Sequence, residues 1–107
     1  MQSLSPKELH EQIKQGQARF TVLDVRELWE IEIASLDDSV AAPMSCLSPD
    51  ILERLPKDNA IVVLCHHGIR SAMVTQWLEQ NGLERVFNLS GGIDEWSLTV
   101  DPSLPRY

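Results

Sequence analysis

Five consecutive apolar residues, Ala60-Ile61-Val62-Val63-Leu64, run directly into Cys65-His66-His67-Gly68-Ile69-Arg70-Ser71, and a helical pattern follows. A strand with no polar face has to be covered on both sides. Parallel sheets sandwiched between helices provide that cover. Such sheets bind ligands beyond the carboxyl ends of their strands. The cysteine stands at that end, in a short loop that opens a helix. The loop's N–H groups and the helix N-terminus make a positive nest for an anion, and a cysteine in such a place is biased toward its thiolate. The sequence therefore proposes a reactive thiolate that handles an anionic or sulfur-centred group.

The rest of the chain alternates helix and strand signals without an internal repeat. Ser5-Pro6-Lys7-Glu8 is a capping box with proline at the first helical position, so a helix is expected to Gln15 with a stop at Gly16. Residues 20–25 are rich in β-branched and aromatic side chains and read as a strand. A short helix is expected over 27–33, a short strand over 39–42 and a short helix over 49–55, the last stopped by Pro56. Residues 71–81 form the helix after the cysteine loop, with Met73/Trp77 and Val74/Leu78 expected on its inner side and Gly82 as its stop. Residues 86–89 are the last strand, Ser90-Gly91-Gly92 a turn and 93–98 a closing helix. The proline-rich tail, 101–107, is expected to be irregular. Asp24-Val25-Arg26, the cysteine loop and Ser90-Gly91-Gly92 all follow strand ends, and in a parallel sheet those ends share one edge.

Bulk properties narrow the partners. A chain of 107 residues is expected to form a single domain, 1–107. Its formal charge is −7, with acidic residues spread along the chain, which argues against nucleic acid and against an anionic membrane surface. The longest apolar run is too short to span a bilayer. The N-terminus lacks a basic-then-apolar signal pattern, so a cytoplasmic location is expected. Cys46 and Cys65 do not make a disulfide framework, and there is no CxxC.

The loop Cys65-His66-His67-Gly68-Ile69-Arg70-Ser71 resembles the active-site loop of rhodanese-type sulfurtransferases. The surrounding order agrees: Leu23-Asp24-Val25-Arg26-Glu27 after the second strand, Pro43 before the middle helix, and Leu89-Ser90-Gly91-Gly92-Ile93-Asp94-Glu95-Trp96 near the end. The resemblance covers nearly the whole chain and is similar to the single-domain bacterial members. It implies a three-layer α/β fold with a small central parallel sheet, about four to five strands, and helices on both faces. It also implies a Cys65 that takes a sulfane sulfur from a donor such as thiosulfate, holds it as a persulfide, and passes it to cyanide or a thiol. No metal or organic cofactor is implied. The partners implied are a small sulfur donor, a thiol or cyanide acceptor, and a protein persulfide. The family's usual Gly-His-Ile after the short helix is replaced here by Ala34-Ser35-Leu36.

The residues support that chemistry directly. Attack on a sulfane sulfur needs a thiolate. A buried cysteine is often only a small hydrophobe, but the Gly68 and Arg70-Ser71 that follow favour a reactive one. His66, His67, Gly68, Ile69, Arg70 and Ser71 are expected to form the binding loop. In it Arg70 holds the loop's shape and supplies charge, while Ser71 either caps the helix or bonds the sulfur. Only four residues separate Cys65 from Arg70. Cell-cycle-type cysteine phosphatases have a loop one residue longer, whose wider ring of N–H groups suits a phosphate. The tighter loop suits a single outer sulfur. His66 and His67 are expected to point apart, exposed to solvent, and without a zinc-like fourth ligand. Cys46 reads as a bystander. Asp24 and Arg26 either line the site edge or are structural, with Arg26 paired to Glu30 four residues on. The structural role is favoured. Trp29, Trp77 and Trp96 read as core or rim packing, and Gly91 and Gly92 as positions where backbone approaches the loop closely.

Overall fold

The apolar strand β4 (Ala60–Leu64) is buried at every residue and lies at the centre of a five-stranded sheet. In the computed structural model, which describes residues 1–16 and 18–107, the other strands are β1 (Gln2–Leu4), β2 (Phe20–Asp24), β3 (Val40–Ala41) and β5 (Val86–Leu89). All pairings are parallel, in the order β1-β5-β4-β2-β3. β4 thus pairs on both edges, with Asp24 level with Leu64 and Val63 level with Asn88. The carboxyl ends of β2, β4 and β5 therefore meet at one edge.

Alternation along β4 splits the core into two layers. Ile61, Val63 and Cys65 face one layer with Leu23, Ile51, Leu55, Val74 and Leu78. Val62 and Leu64 face the other with Leu4, Leu9, Leu89, Ile93 and Trp96. The first layer is covered by α3 (Ile51–Arg54) and α4 (Ile69–Gln80), the second by α1 (Pro6–Gln15) and α5 (Gly92–Thr99). The remaining helix, α2 (Leu28–Ile33), follows β2, and a 3₁₀ turn, Met44–Cys46, follows β3. The expected α/β fold with helices on both faces is present.

Local signals account for most of these elements. The capping box on α1 is formed both ways, Glu8 N–H to Ser5 Oγ at 3.1 Å and Ser5 N–H to Glu8 Oε1 at 2.9 Å, and Gly16 closes the helix in the left-handed region. β1 lies where the sequence carries no strand signal, and one expectation is corrected. On α4 the buried residues are Ser71, Val74, Thr75 and Leu78, while Met73 is exposed and Trp77 only partly covered. The inner stripe is half hydroxyl-bearing, so a search for apolar pairs selects the wrong ridge. Of the tryptophans, Trp96 is core, Trp77 packs at the edge of the other layer, and Trp29 is 61% exposed.

Candidate active site

Cys65 leaves β4 with its side chain buried, 1% exposed, and Gly68 begins α4 as its N-cap without a side-chain cap on the helix. The Gly68 N–H donates to Cys65 Sγ at 3.1 Å, and the thiol donates to Ser71 Oγ at 3.2 Å. Ser71 in turn donates to Asn88 Oδ1, and Asn88 Nδ2 donates to the Gly68 carbonyl at 3.2 Å. Cysteine, serine, asparagine and loop backbone therefore close a ring of hydrogen bonds around the sulfur. Ser71 bonds the sulfur and does not cap the helix. An uncapped helix N-terminus beside the thiol favours negative charge there.

The loop is held from outside by α5. Ile93 N–H donates to the Cys65 carbonyl at 2.9 Å, and Asp94 N–H to the His66 carbonyl at 3.2 Å. In a planar trans peptide the N–H points opposite to its carbonyl. Fixing these carbonyls toward α5 therefore turns the N–H groups of His66 and His67 away from it. The fit depends on missing side chains. A Cβ on Gly92 would lie 2.3 Å from the His66 carbonyl oxygen, and one on Gly68 would lie 3.1 Å from Gly91 N. Gly91 and Gly92 do bring backbone against the loop.

The positive charge of the loop is paired. Arg70 donates to both oxygens of Glu30, Nη1 to Oε1 at 2.6 Å and Nη2 to Oε2 at 2.7 Å. Glu30 is buried on α2, and the fork from Arg70 is the main reason its carboxyl is lowered to about 2. The same pair raises Arg70 above the ordinary arginine range. Glu30 is placed by Arg26, which is fully buried. All five of its side-chain donors are used: Nε and Nη2 on the Asp24 carboxylate, Nη1 on the Glu30 carbonyl and Tyr107 hydroxyl, and Nη2 also on the Ala34 carbonyl. Arg26 thus pins α2 by its last carbonyls. Asp24 and Arg26 are both fully buried. The partner is corrected: Arg26 pairs with Asp24, because the Glu30 carboxylate is taken by Arg70.

A family profile described as "Rhodanese-like domain" matches residues 5–99. This chain belongs to the rhodanese-like domain family. Over 89 residues it is 44% identical to the Rhodanese-like/PpiC domain-containing protein 12, chloroplastic, of Arabidopsis thaliana; the match takes in 80% of this chain and 30% of that protein. It is 37% identical over 76 residues to a protein named sulfurtransferase from Allochromatium vinosum, covering 71% of this chain and 70% of that one. The structure superposes on a rhodanese-related protein of Thermoplasma volcanium with a TM-score of 0.80 at 34% identity, covering 98% of this chain and 96% of the other.

Within this rhodanese-like domain, the sequence-predicted residues Cys65, Gly68, Arg70, Ser71, Gly91 and Gly92 come together, and Ile69 lies exposed at the loop's outer lip. The two histidines differ from expectation. Their rings stack at 3.8 Å with 28° between planes, and Tyr107 lies flat on the far side of His66 at 3.9 Å and 9°. His66 is only partly exposed, and its pKa is lowered, first by burial and then by His67. His66, His67 and Asp94 bring possible ligand atoms within 4.8 Å of one another. The rings, however, lie face to face, and Arg106 Nε holds the Asp94 carboxylate at 2.9 Å. Cys46 is exposed on the 3₁₀ turn, a free thiol like Cys65. Ala34, in the place of the family's glycine, has an extended backbone (φ −157°) that any residue adopts, so the turn needs no glycine. Asn88 and Tyr107 carry no local motif, and sequence reasoning misses their place at the site; Glu30 is read there only as a partner of Arg26, and Asp94 only as part of the stretch after β5. Among the described residues no helix is long and apolar enough to cross a membrane.

Proposed function

We infer that this chain is a sulfurtransferase working through a Cys65 persulfide, with no metal or organic cofactor. The observation that carries the reading is the buried Cys65 sulfur, which accepts the Gly68 N–H at the uncapped start of α4 inside a four-residue loop closed by Arg70. After the thiol proton leaves to solvent, the thiolate attacks the outer sulfur of thiosulfate. A sulfur–sulfur bond forms at Cys65, the bond within thiosulfate breaks, and sulfite leaves with its electron pair. Cyanide, or a thiolate, then attacks the outer sulfur of the persulfide, giving thiocyanate, or a new persulfide, and the Cys65 thiolate. A protein persulfide is a further candidate donor or acceptor, and the cytoplasm the proposed setting.

Phosphatase chemistry fits less well. The loop is one residue short, and the two acids at the loop, Glu30 and Asp94, are held in their ionised forms by Arg70 and Arg106, unsuited to protonate a leaving group. The Arg70–Glu30 pair leaves little free cationic charge for a dianion, which favours thiol-borne persulfides over thiosulfate as donors.

Intact-mass measurement tests the assignment. Thiosulfate should add one sulfur atom to the protein, and cyanide should remove it. Cys65→Ser should abolish both changes and Cys46→Ser neither. Sulfur loading that survives in Cys65→Ser would defeat the assignment.

A further inference from the structure

The tail has no regular secondary structure, yet its last residue is built into the site. Ser97 Oγ donates to the Leu104 carbonyl at 2.6 Å, Leu104 packs on the second core layer, and Arg106 pairs with Asp94. These contacts deliver Tyr107 to four groups at once. Its ring lies flat on His66, its edge meets Trp29 at 6.1 Å, and its hydroxyl donates to Glu30 Oε2 at 2.8 Å while accepting from Arg26. His66 is thereby sandwiched between Tyr107 and His67 in a stack of three rings that begins one residue from Cys65.

We propose that Tyr107 is a positioning residue that sets donor specificity: its ring roofs His66 and bars that imidazole from serving as a cationic subsite for dianionic sulfur donors. This rests on the sulfurtransferase reading above. The His66 Nε2 atom is buried without a hydrogen-bond partner among the described residues, so a proton placed there would leave an unpaired buried N–H on a cation. The groups facing His66 are His67 from its own loop, Asp94 from α5, Glu30 from α2 and the Tyr107 backbone. His67 opposes charge on His66. Asp94 and Glu30 favour it, but Arg106 and Arg70 respectively already hold their carboxylates. The ring that covers the imidazole is the removable part of this arrangement. Tyr107→Ala strips it while leaving the backbone contact, and Tyr107→Phe keeps the ring while losing only the bonds to Glu30 and Arg26.

Two measurements test the role, with thiosulfate and the persulfide of 2-mercaptoethanol as donors. The first is the NMR titration of the His66 imidazole in wild type, Tyr107→Phe and Tyr107→Ala. The second is steady-state kinetics with each donor across the histidine range. The titration should move up in Tyr107→Ala and stay put in Tyr107→Phe. At about pH 6 the ratio of thiosulfate KM to persulfide KM should fall about fivefold in Tyr107→Ala alone. A His66 titration that ignores the ring overturns the proposal. So does one that moves without changing that KM ratio, and so does an equal loss with both donors. Wild-type protein that loads no sulfur at all would sink the reading underneath and the specificity role with it. Loading in all three proteins with equal constants would sink only the role of Tyr107.

Discussion

At Glu30, two hydrogen bonds from Arg70, helped by the Tyr107 hydroxyl, outweigh burial and lower the carboxyl to about 2. Against an ordinary glutamate at ~4.3, that gap is worth on the order of 3 kcal/mol of native stability. The sign follows from proton counting. The folded carboxyl holds its proton less tightly than the unfolded one, so the contribution is complete above the unfolded value and is lost as pH falls toward the folded one. Glu30→Gln removes the charge and leaves Arg70 with a neutral partner. Urea unfolding at neutral pH should place the variant about 3 kcal/mol below wild type. The gap should close as the acid limit is approached, because protonation does to wild type what the substitution does permanently. A gap of constant size down to the lowest pH at which both still fold would mean that Glu30 acts through shape and not through charge.

The start of α5 is the element on which the loop depends, and Gly92 is where the two touch. A methyl there would fall 2.3 Å from the His66 carbonyl oxygen and 2.5 Å from that of Cys65. Both obstacles are backbone, so α5 would have to move off the loop and lose the Ile93 and Asp94 hydrogen bonds. At Gly91 the nearest atoms belong to Glu95 of α5 itself, including its Cβ at 2.7 Å, so the clash falls within the helix start and not on the loop. Both glycines have positive φ, so each alanine variant carries a backbone strain of about 1 kcal/mol. Both variants lose stability, and Gly92→Ala is expected to lose about 1 kcal/mol more, because both of its obstacles are loop backbone. Gly92→Ala should also lose most sulfur loading by intact mass while Gly91→Ala keeps it; equal behaviour would show that the close approach does not shape the loop. This contact was legible in the sequence because glycine pairs after strands have few uses, and β4, the cysteine loop and the α1 capping box were legible because their signals are local. β1 was not: Gln2 and Ser3 are polar and exposed, and only pairing with β5 makes them a strand. Residues 71–81 were expected to be the helix, but α4 starts two residues earlier at its Gly68 cap. The partners of Arg26 and Arg70 could not be read from spacing, because Glu30 offers its carbonyl to one and its carboxylate to the other. Nor did a proline-rich tail announce that its tyrosine would lie on a loop histidine.

Over the whole molecule, sixteen acidic residues face nine basic ones, and the site's own cation is already paired. A dianion approaching Cys65 therefore meets a repulsive long-range field and finds little local attraction to offset it. Salt shortens the reach of that field, to a Debye length of ~10 Å at 0.1 M and ~30 Å at 0.01 M. Raising ionic strength with an inert salt over that range should therefore increase kcat/KM for thiosulfate, by about two- to threefold. The persulfide of an uncharged thiol carries less charge than thiosulfate and should respond less. Sites that recruit anions by positive charge behave the opposite way, losing rate as salt screens the attraction. The direction of the slope is thus the diagnostic quantity, and it separates the field of the molecule from the chemistry of the loop, since Cys65 and its hydrogen-bond ring are the same at every salt concentration. Stopped-flow or initial-rate measurements with both donors, at fixed pH and with a non-coordinating salt, would give the two slopes. A thiosulfate rate that falls with salt would mean that Arg70 presents its charge to the donor despite Glu30, and that attraction at the loop outweighs the acidic surface around it.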